Sequence, residues 1–312
     1  MINKNYKSSK PKILVLLACY NGERYIEKQI ESILKQTHSP YKINISIDKS
    51  NDQSVQIVEA YSKKYSQINI TNTDKCFGSA ATNFIHLLTS VDLKDVDFIA
   101  LADQDDLWRS DKLKKAILKL KKDFDGYSSN VEAFWSTGRR KILLKNQPQK
   151  RFDHFFESAG PGHTFVISKK LVQSLQKFLI KNKFNKPNNY HDWLIYAYAR
   201  THGFKWYIDS YPGVEYRQHA TNVAGANIGI KAFVSRANRV LSGEGFDFAF
   251  WLMKELKVHD PFIQSLAPVT RINLIRLAFK YNHCRRRLRD QVFFFFACIL
   301  LAIIFPNRLR TI

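Results

Sequence analysis

The sequence predicts an α/β protein built on a mostly parallel, doubly wound sheet with helices on both faces, followed by a helical C-terminal region. Three observations carry that reading. Over the first third of the chain, compact apolar runs alternate with amphipathic runs of helical period, the pattern of a parallel sheet whose crossovers are helices. Each strand-like run ends in a polar segment, "CYNGE", "SIDKSND", "NTDKCFGS" and "ADQDDLW", and open parallel sheets bind ligands beyond these carboxyl ends. From about residue 230 the alternation gives way to basic helical stretches that end in the apolar run "VFFFFACILLAIIF" (292–305).

The elements follow in order. "KILVLLACY" (12–20) is β-rich and breaks at "NGE", a turn signal that also opens a helix. In "RYIEKQIESILKQ", Ile26, Ile30, Ile33 and Leu34 recur on one helical face. "YKINISID" gives a second strand, "SNDQSVQIVEAYSKKY" a capped second helix and "INITNT" a third strand. "GSAATNFIHLLTSV" gives another helix, and "DFIALA" the strand that delivers Asp103, Asp105 and Asp106, with a helix expected to begin near Trp108. Further on, "SAGPGHTFVIS" (158–168) pairs a Gly-Pro-Gly turn with a strand, and "HDWLIYAYARTHGF" opens a helix. "FKWYID" reads as a short strand and "SYPGVE" as a turn. "NRVLSGEGFDFAFWLMKELKV" and "RINLIRLAFKYNHCRRRL" read as helices with basic faces.

Bulk properties set limits. A chain of 312 residues buries a substantial core as one large or two modest domains. A net charge of +22 suggests a polyanionic neighbour: nucleic acid, an anionic membrane face or a phosphorylated substrate. Cys19, Cys76, Cys284 and Cys298 show no C-x-x-C spacing, which argues against a zinc site or disulfide framework and fits a reducing compartment. The polar, basic N-terminus carries no secretory signal. Against this basic background Asp103, Asp105 and Asp106 stand out, because like charges this close repel unless a cation or a proton separates them.

The segments "LLACYNGERYIEKQIESILKQT", "SIDKSNDQS", "GSAATNF", "LADQDDLW", "PGHTFVIS", "HDW" and "YRQHATNVAG", in this order and spacing, resemble family 2 glycosyltransferases of the GT-A fold, specifically the bacterial rhamnosyltransferase-like branch. The resemblance spans about residues 11–225. It implies a nucleotide-sugar-binding half (1–125), an acceptor-binding half (126–229) and a separate helical region (230–312). It also implies a divalent metal, Mn²⁺ or Mg²⁺, because a diphosphate leaving group builds negative charge that a Lewis acid neutralises, and such hard cations favour oxygen ligands. Asp103-Gln104-Asp105 fits the D-x-D motif. By that resemblance Asp105 contacts the metal and Asp103 holds the ribose or the metal's outer waters, with His219 as a further metal ligand and Arg217 at the donor phosphates. Ala18, Tyr20, Asn21 and Glu23 would surround the nucleotide base and ribose. Asp48 would bond the pyrimidine, although Ile47 and Lys49 depart from the family's usual "DDGS". Gly78 and Asn83 match the helix that approaches the donor, where a missing Cβ permits close backbone contact.

On the acceptor side, Asp192 is the expected general base, with His191 orienting it; an N-cap role is the structural alternative. A helix N-terminus favours the ionised carboxylate. Asp106 either supports the acceptor side or caps the helix near Trp108. His163 and Thr164 are candidates for acceptor contact.

As a helix, 292–305 reaches about 21 Å, short of a hydrocarbon core of about 30 Å. An interfacial or re-entrant anchor with flanking arginines on anionic headgroups is therefore expected, the alternative being a buried core helix. The whole reading is an inverting glycosyltransferase, peripheral on the cytoplasmic face of a bacterial membrane. It would move a sugar, first rhamnose from a dTDP donor, to a lipid-linked glycan of the cell surface. The alternatives are a UDP-hexose donor and, from another class, a basic nucleic-acid-binding protein, which would leave Asp103, Asp105 and Asp192 without a purpose; nucleic acid is accordingly not an expected partner.

Overall fold

The computed structural model describes residues 10–182, 190–219 and 243–304. The N-terminal segment 1–9, the part of "YRQHATNVAGAN" after His219, the start of "NRVLSGEGF" and Phe305 lie outside the described residues.

β1 (Ile13–Cys19) is buried along its whole length, and so reads as an unbroken apolar run; a strand covered on both faces has no solvent side for polar residues to occupy. It pairs in parallel with β2 (Lys42–Ile47) on one side and β4 (Phe98–Asp103) on the other, and β3 (Ile68–Asn72) adds beyond β2. The crossovers are α1 (Ile26–Leu34), α2 (Ser54–Lys64) and α3 (Ala80–Ser90). α1 buries Ile26, Ile30 and Ile33, the face its spacing announces. Ser79 caps α3 by accepting from the Thr82 amide.

Beyond β4 the sheet becomes mixed. The full order is β3-β2-β1-β4-β8-β6-β9-β5, with β8 (Val166–Ser168) antiparallel to both β4 and β6 (Gly126–Trp135), and β7 (Arg140–Leu143) pairing β6. Two sequence expectations change here. Leu107–Trp108 is not a helix start but a short strand, β5, and α4 (Lys112–Leu120) begins later. The expected strand, turn and loop after residue 204 are one strand, β9 (Trp206–Gln218), parallel to β6. The register steps from Ser129↔Asp209 to Val131↔Val214, so "SYPG" is absorbed as a bulge.

α6 (Lys169–Lys181) and α7 (His191–Thr201) pack into the same apolar cluster as Leu14, Leu16, Phe84 and Leu101. The two expected halves therefore share a core. A separate cluster joins Phe152, Phe155 and Phe156, at and beside α5 (Asp153–Phe156), to the C-terminal helices, among them α8 (Glu244–Glu255), α9 (Pro261–Gln264), α10 (Arg271–Ala278) and α12 (Leu288–Ile304). The short α11 (Tyr281–Cys284) joins α10 to α12. α12 is longer than its apolar run and two-faced. Phe294, Ala297, Cys298 and Leu301 are buried, while Phe296 is 62% and Ile303 69% exposed. Among the described residues no helix is long and apolar enough to cross a membrane.

Candidate active site

Strand order places the site. The chain leaves β1 toward β2 on one side and reaches β4 on the other, so a crevice opens at their carboxyl ends. Ala18 lies opposite Asp103 in the register, which sets the turn after β1 beside the carboxylate loop. Gln104 fastens the two: its Nε2 donates to the Tyr20 carbonyl at 2.8 Å and its Oε1 accepts from the Tyr20 amide at 2.6 Å. Gly22 makes room for this clip, since a Cβ there would lie 2.6 Å from Gln104 Oε1 and 2.9 Å from Cys19 Sγ. Sequence reasoning passed over Gln104 as the variable position of D-x-D. The spacing shows the carboxylates, but not that an amide between them would meet a backbone 84 residues away.

The other nucleotide-side candidates mostly bind loops to one another. Asn21 adopts a left-handed φ of 46° and accepts from the Asn51 amide at 2.9 Å. Glu23 Oε2 accepts from the Gln53 amide at 2.9 Å. The Asp48 carboxylate accepts from the amides of Lys49 (2.8 Å), Phe77 (2.9 Å) and Gly78 (3.1 Å), fixing the loop before α3. Asn83 is buried and donates to the Ser46 carbonyl at 3.1 Å. Gly78 has φ +71° with open space where a Cβ would stand. The left-handed φ by itself favours glycine here. Tyr20 keeps an exposed ring.

The three carboxylates divide into two groups. Asp103 and Asp106 face His163, whose Nδ1 lies 3.1 Å from Asp103 Oδ2 and 2.8 Å from Asp106 Oδ2. Burial alone would lower the imidazole, but the Asp106 charge and the bonds to both carboxylates outweigh it and push His163 up to about 10. The carboxylates thus favour the protonated ring, and its charge and hydrogen bond hold Asp103 below the usual range although burial raises it. Asp106 is buried and also accepts from the Arg217 amide at 3.2 Å. It caps no helix, so that expectation is corrected. His163 and Thr164 are likewise turned inward: Thr164 Oγ1 donates to the Pro161 carbonyl at 2.7 Å.

Asp105 points the other way. Its Oδ2 lies 2.7 Å from His219 Nε2, at the end of β9. His219 stacks on Tyr25 at 5.2 Å, and Arg217 places its guanidinium 4.7 Å from both the Tyr25 and Phe134 rings while Nε donates to the Asp105 carbonyl. Tyr25 was the second residue missed; in the sequence it is one more aromatic on an amphipathic helix. Burial, with the charges of Asp106 and Asp103, pushes the Asp105 carboxyl up to about 6.

α7 starts at His191 with Tyr190 at its N-cap and no capping side chain. Asp192 is thus in the first turn and is not the cap, and its Oδ1 accepts its neighbour's amide, Trp193 N, at 2.7 Å. Burial raises its pKa; the His191 charge, the Trp193 amide and the Ser158 hydroxyl oppose without prevailing. The helix start therefore does not hold this carboxyl low as the sequence suggested, and a raised pKa makes it the stronger base. His191 does not orient it by a hydrogen bond: both ring nitrogens are buried and unpartnered, and the ring stacks on Phe84 at 4.5 Å. Gly162 admits His191, because a Cβ there would sit 2.5 Å from His191 Nε2 and 3.3 Å from Asp192 Cβ.

A D-x-D loop at the switch point of the sheet, in a chain matched by a glycosyl transferase family profile, marks a nucleotide-sugar transferase of the GT-A fold. The chain belongs to glycosyl transferase family 2, whose family profile matches residues 14–175. It is 39% identical over 294 residues to the dTDP-rhamnosyl transferase RfbG of Shigella flexneri, covering 91% of this chain and 99% of that protein. It is also 28% identical over 190 residues to UDP-Glc:alpha-D-GlcNAc-diphosphoundecaprenol beta-1,3-glucosyltransferase WfgD of Escherichia coli, covering 58% of this chain and 68% of that one. Among solved structures, S. aureus TarS 1-349 in complex with UDP shares the fold with a TM-score of 0.56 at 16% identity, covering 94% of this chain and 81% of that chain.

Proposed function

We propose that this transferase moves rhamnose, with inversion, from dTDP-rhamnose to a hydroxyl of a lipid-linked surface glycan at the cytoplasmic face of a bacterial membrane. The observation that carries the site assignment is the meeting of Asp105 and His219, 114 residues apart, at 2.7 Å. Three carboxylates crowded at one loop, with Asp105 driven upward by burial and by its neighbours' charges, suit a divalent cation. Asp105 and His219 would hold Mn²⁺ or Mg²⁺, with Asp103 beside them. Asp103, Asp106 and His163 also present ligand atoms within 4.8 Å of one another; because both carboxylates favour the protonated His163 ring, we read that trio as an ion cluster beside the metal residues. Bound there, the cation would neutralise charge on the departing diphosphate.

The protein's own residues do the rest. Asp192 takes the proton of the acceptor hydroxyl as its oxygen attacks the anomeric carbon and the nucleoside diphosphate leaves from the opposite face, which inverts the centre in one displacement. Tyr20, Asn21 and Glu23 border the nucleotide on a turn held by Gln104. The domain division at 125/126 and 229/230 stays our reading, with the first two parts sharing a core. The dTDP-rhamnose assignment rests on the relative named for that donor, and the lipid-linked acceptor on the relative named for a diphosphoundecaprenol substrate. That second relative also favours UDP-glucose as the competing donor.

The test is a transfer assay with dTDP-rhamnose, UDP-glucose and UDP-GlcNAc on a prenyl-diphosphate-linked acceptor with Mn²⁺, comparing wild type with Asp192→Asn. We expect transfer from dTDP-rhamnose and a kcat lowered about 10²–10⁴-fold in the variant, with donor affinity little changed. Transfer from a UDP-sugar alone would replace the donor. Near-wild-type turnover of the variant would remove Asp192 from the chemistry.

A further inference from the structure

The run "RRRLRD" leading into α12 was expected at the membrane, yet the structure sends two of its arginines inward. Arg286 is 6% exposed, and its Nη1 donates to Asp153 Oδ2 at 3.0 Å while its Nη2 donates to the Ser158 carbonyl at 2.5 Å. Its own amide donates to Glu157 Oε1 at 2.6 Å, and Arg285 donates to the Phe156 carbonyl. The chain from Phe156 to Ser158 is thus gripped at three successive residues by Arg285 and Arg286. The Ser158 hydroxyl donates to the Gly160 carbonyl at 2.8 Å and lies near enough to Asp192 to oppose the rise of its pKa.

Asp153 carries the same grip to α7. Fully buried, it accepts from the Tyr196 hydroxyl at 2.9 Å and from Arg200 at 3.2 Å. Tyr196 lies one helical turn beyond Asp192, so its ring and hydroxyl set the position of that turn.

We propose that Arg286 is a positioning residue for Asp192, holding both the Ser158 loop beside the carboxylate and, through Asp153, the helix that bears it. This rests on Asp192 being the acceptor-side base. A planar guanidinium can serve Asp153 and the Ser158 carbonyl together, which an ammonium on a flexible stem does less well. Arg286 is buried, so its effect would pass through Asp192.

The test is a double-mutant cycle of Arg286→Lys and Arg286→Met with Asp192→Asn, read as kcat and donor KM, alongside nucleotide binding and Tm. We expect each Arg286 variant to lower kcat about 10-fold or more where Asp192 is present, with donor KM unchanged, and by less than 2-fold more in the Asp192→Asn background, the coupling expected of groups that act as one unit. Arg286→Lys, which retains the charge, keeps the test valid if Arg286→Met fails to fold. Equal loss in both backgrounds, or no loss in either, overturns the proposal. Full turnover of Asp192→Asn alone overturns the base assignment instead, and is visible in the same cycle.

Discussion

Gln104 holds the backbone of Tyr20 from both sides, donating to its carbonyl at 2.8 Å and accepting from its amide at 2.6 Å. One side chain thereby splices the turn after β1 to the carboxylate loop after β4, as a strand would.

Gln104→Leu therefore frees the Tyr20 turn without touching a carboxylate. Losing two hydrogen bonds of roughly 1 kcal/mol each should raise donor KM about 30-fold, with kcat nearly unchanged. Gly22→Ala, which pushes the Gln104 amide away, should behave alike. Donor titrations at saturating acceptor measure both, and an unchanged KM in Gln104→Leu would reduce the clip to a crossing of loops.

Asp105 gives a pH prediction. In the metal-free protein its carboxyl stands at about 6, above the 3.8 of an unperturbed Asp. The native state then binds more protons than the unfolded chain between these values, so this group's contribution to stability is present below 3.8 and lost as pH rises through about 6. A divalent cation binds the ionised form and reverses the loss. Added Mn²⁺ should raise Tm more at pH 7.5 than at pH 5, and Asp105→Asn should abolish both the Mn²⁺ shift and transfer. An equal shift at both pH values, or full activity in EDTA, would place the cation elsewhere or nowhere.

The third prediction concerns α12. Removing residues 285–312 would strip Arg286 from buried Asp153, and breaking such a pair costs about 3–5 kcal/mol, so truncation would test folding more than membrane binding. The exposed face is the cleaner target. Phe296→Glu with Ile303→Glu leaves the packed face intact and should abolish binding to vesicles rich in phosphatidylglycerol with little change in Tm, whereas Leu301→Glu should unfold the C-terminal helices. Wild-type vesicle binding by the double variant would end the membrane assignment of this face.

Much of the fold was legible because hydrophobic period is a local property. β1 and α1 to α3 stand where their patterns put them, and strand ends predict a crevice from topology alone. The reading slipped where a local signal competed with a distant partner. Leu107–Trp108 resembled a helix start, but its backbone pairs with Val214 and Glu215 on β9. "SYPG" is turn chemistry, yet β6 pairs on both sides of it and holds it as a bulge.

The site divides along the same line. By itself the sequence determined which chemistry was available: the D-x-D run, a carboxylate at the start of a late helix, and a histidine and arginine near the end of the matched region. Those are residue types at spacings, and covalent order carries them. Only the tertiary structure decided their use. It gave Asp103 and Asp106 to His163 and Asp105 to His219, left Asp192 without a capping role, and turned Arg286 from solvent to Asp153. Each choice depends on which charge is buried beside which, and burial is a property of the packed chain, set by contacts between residues that the sequence holds far apart.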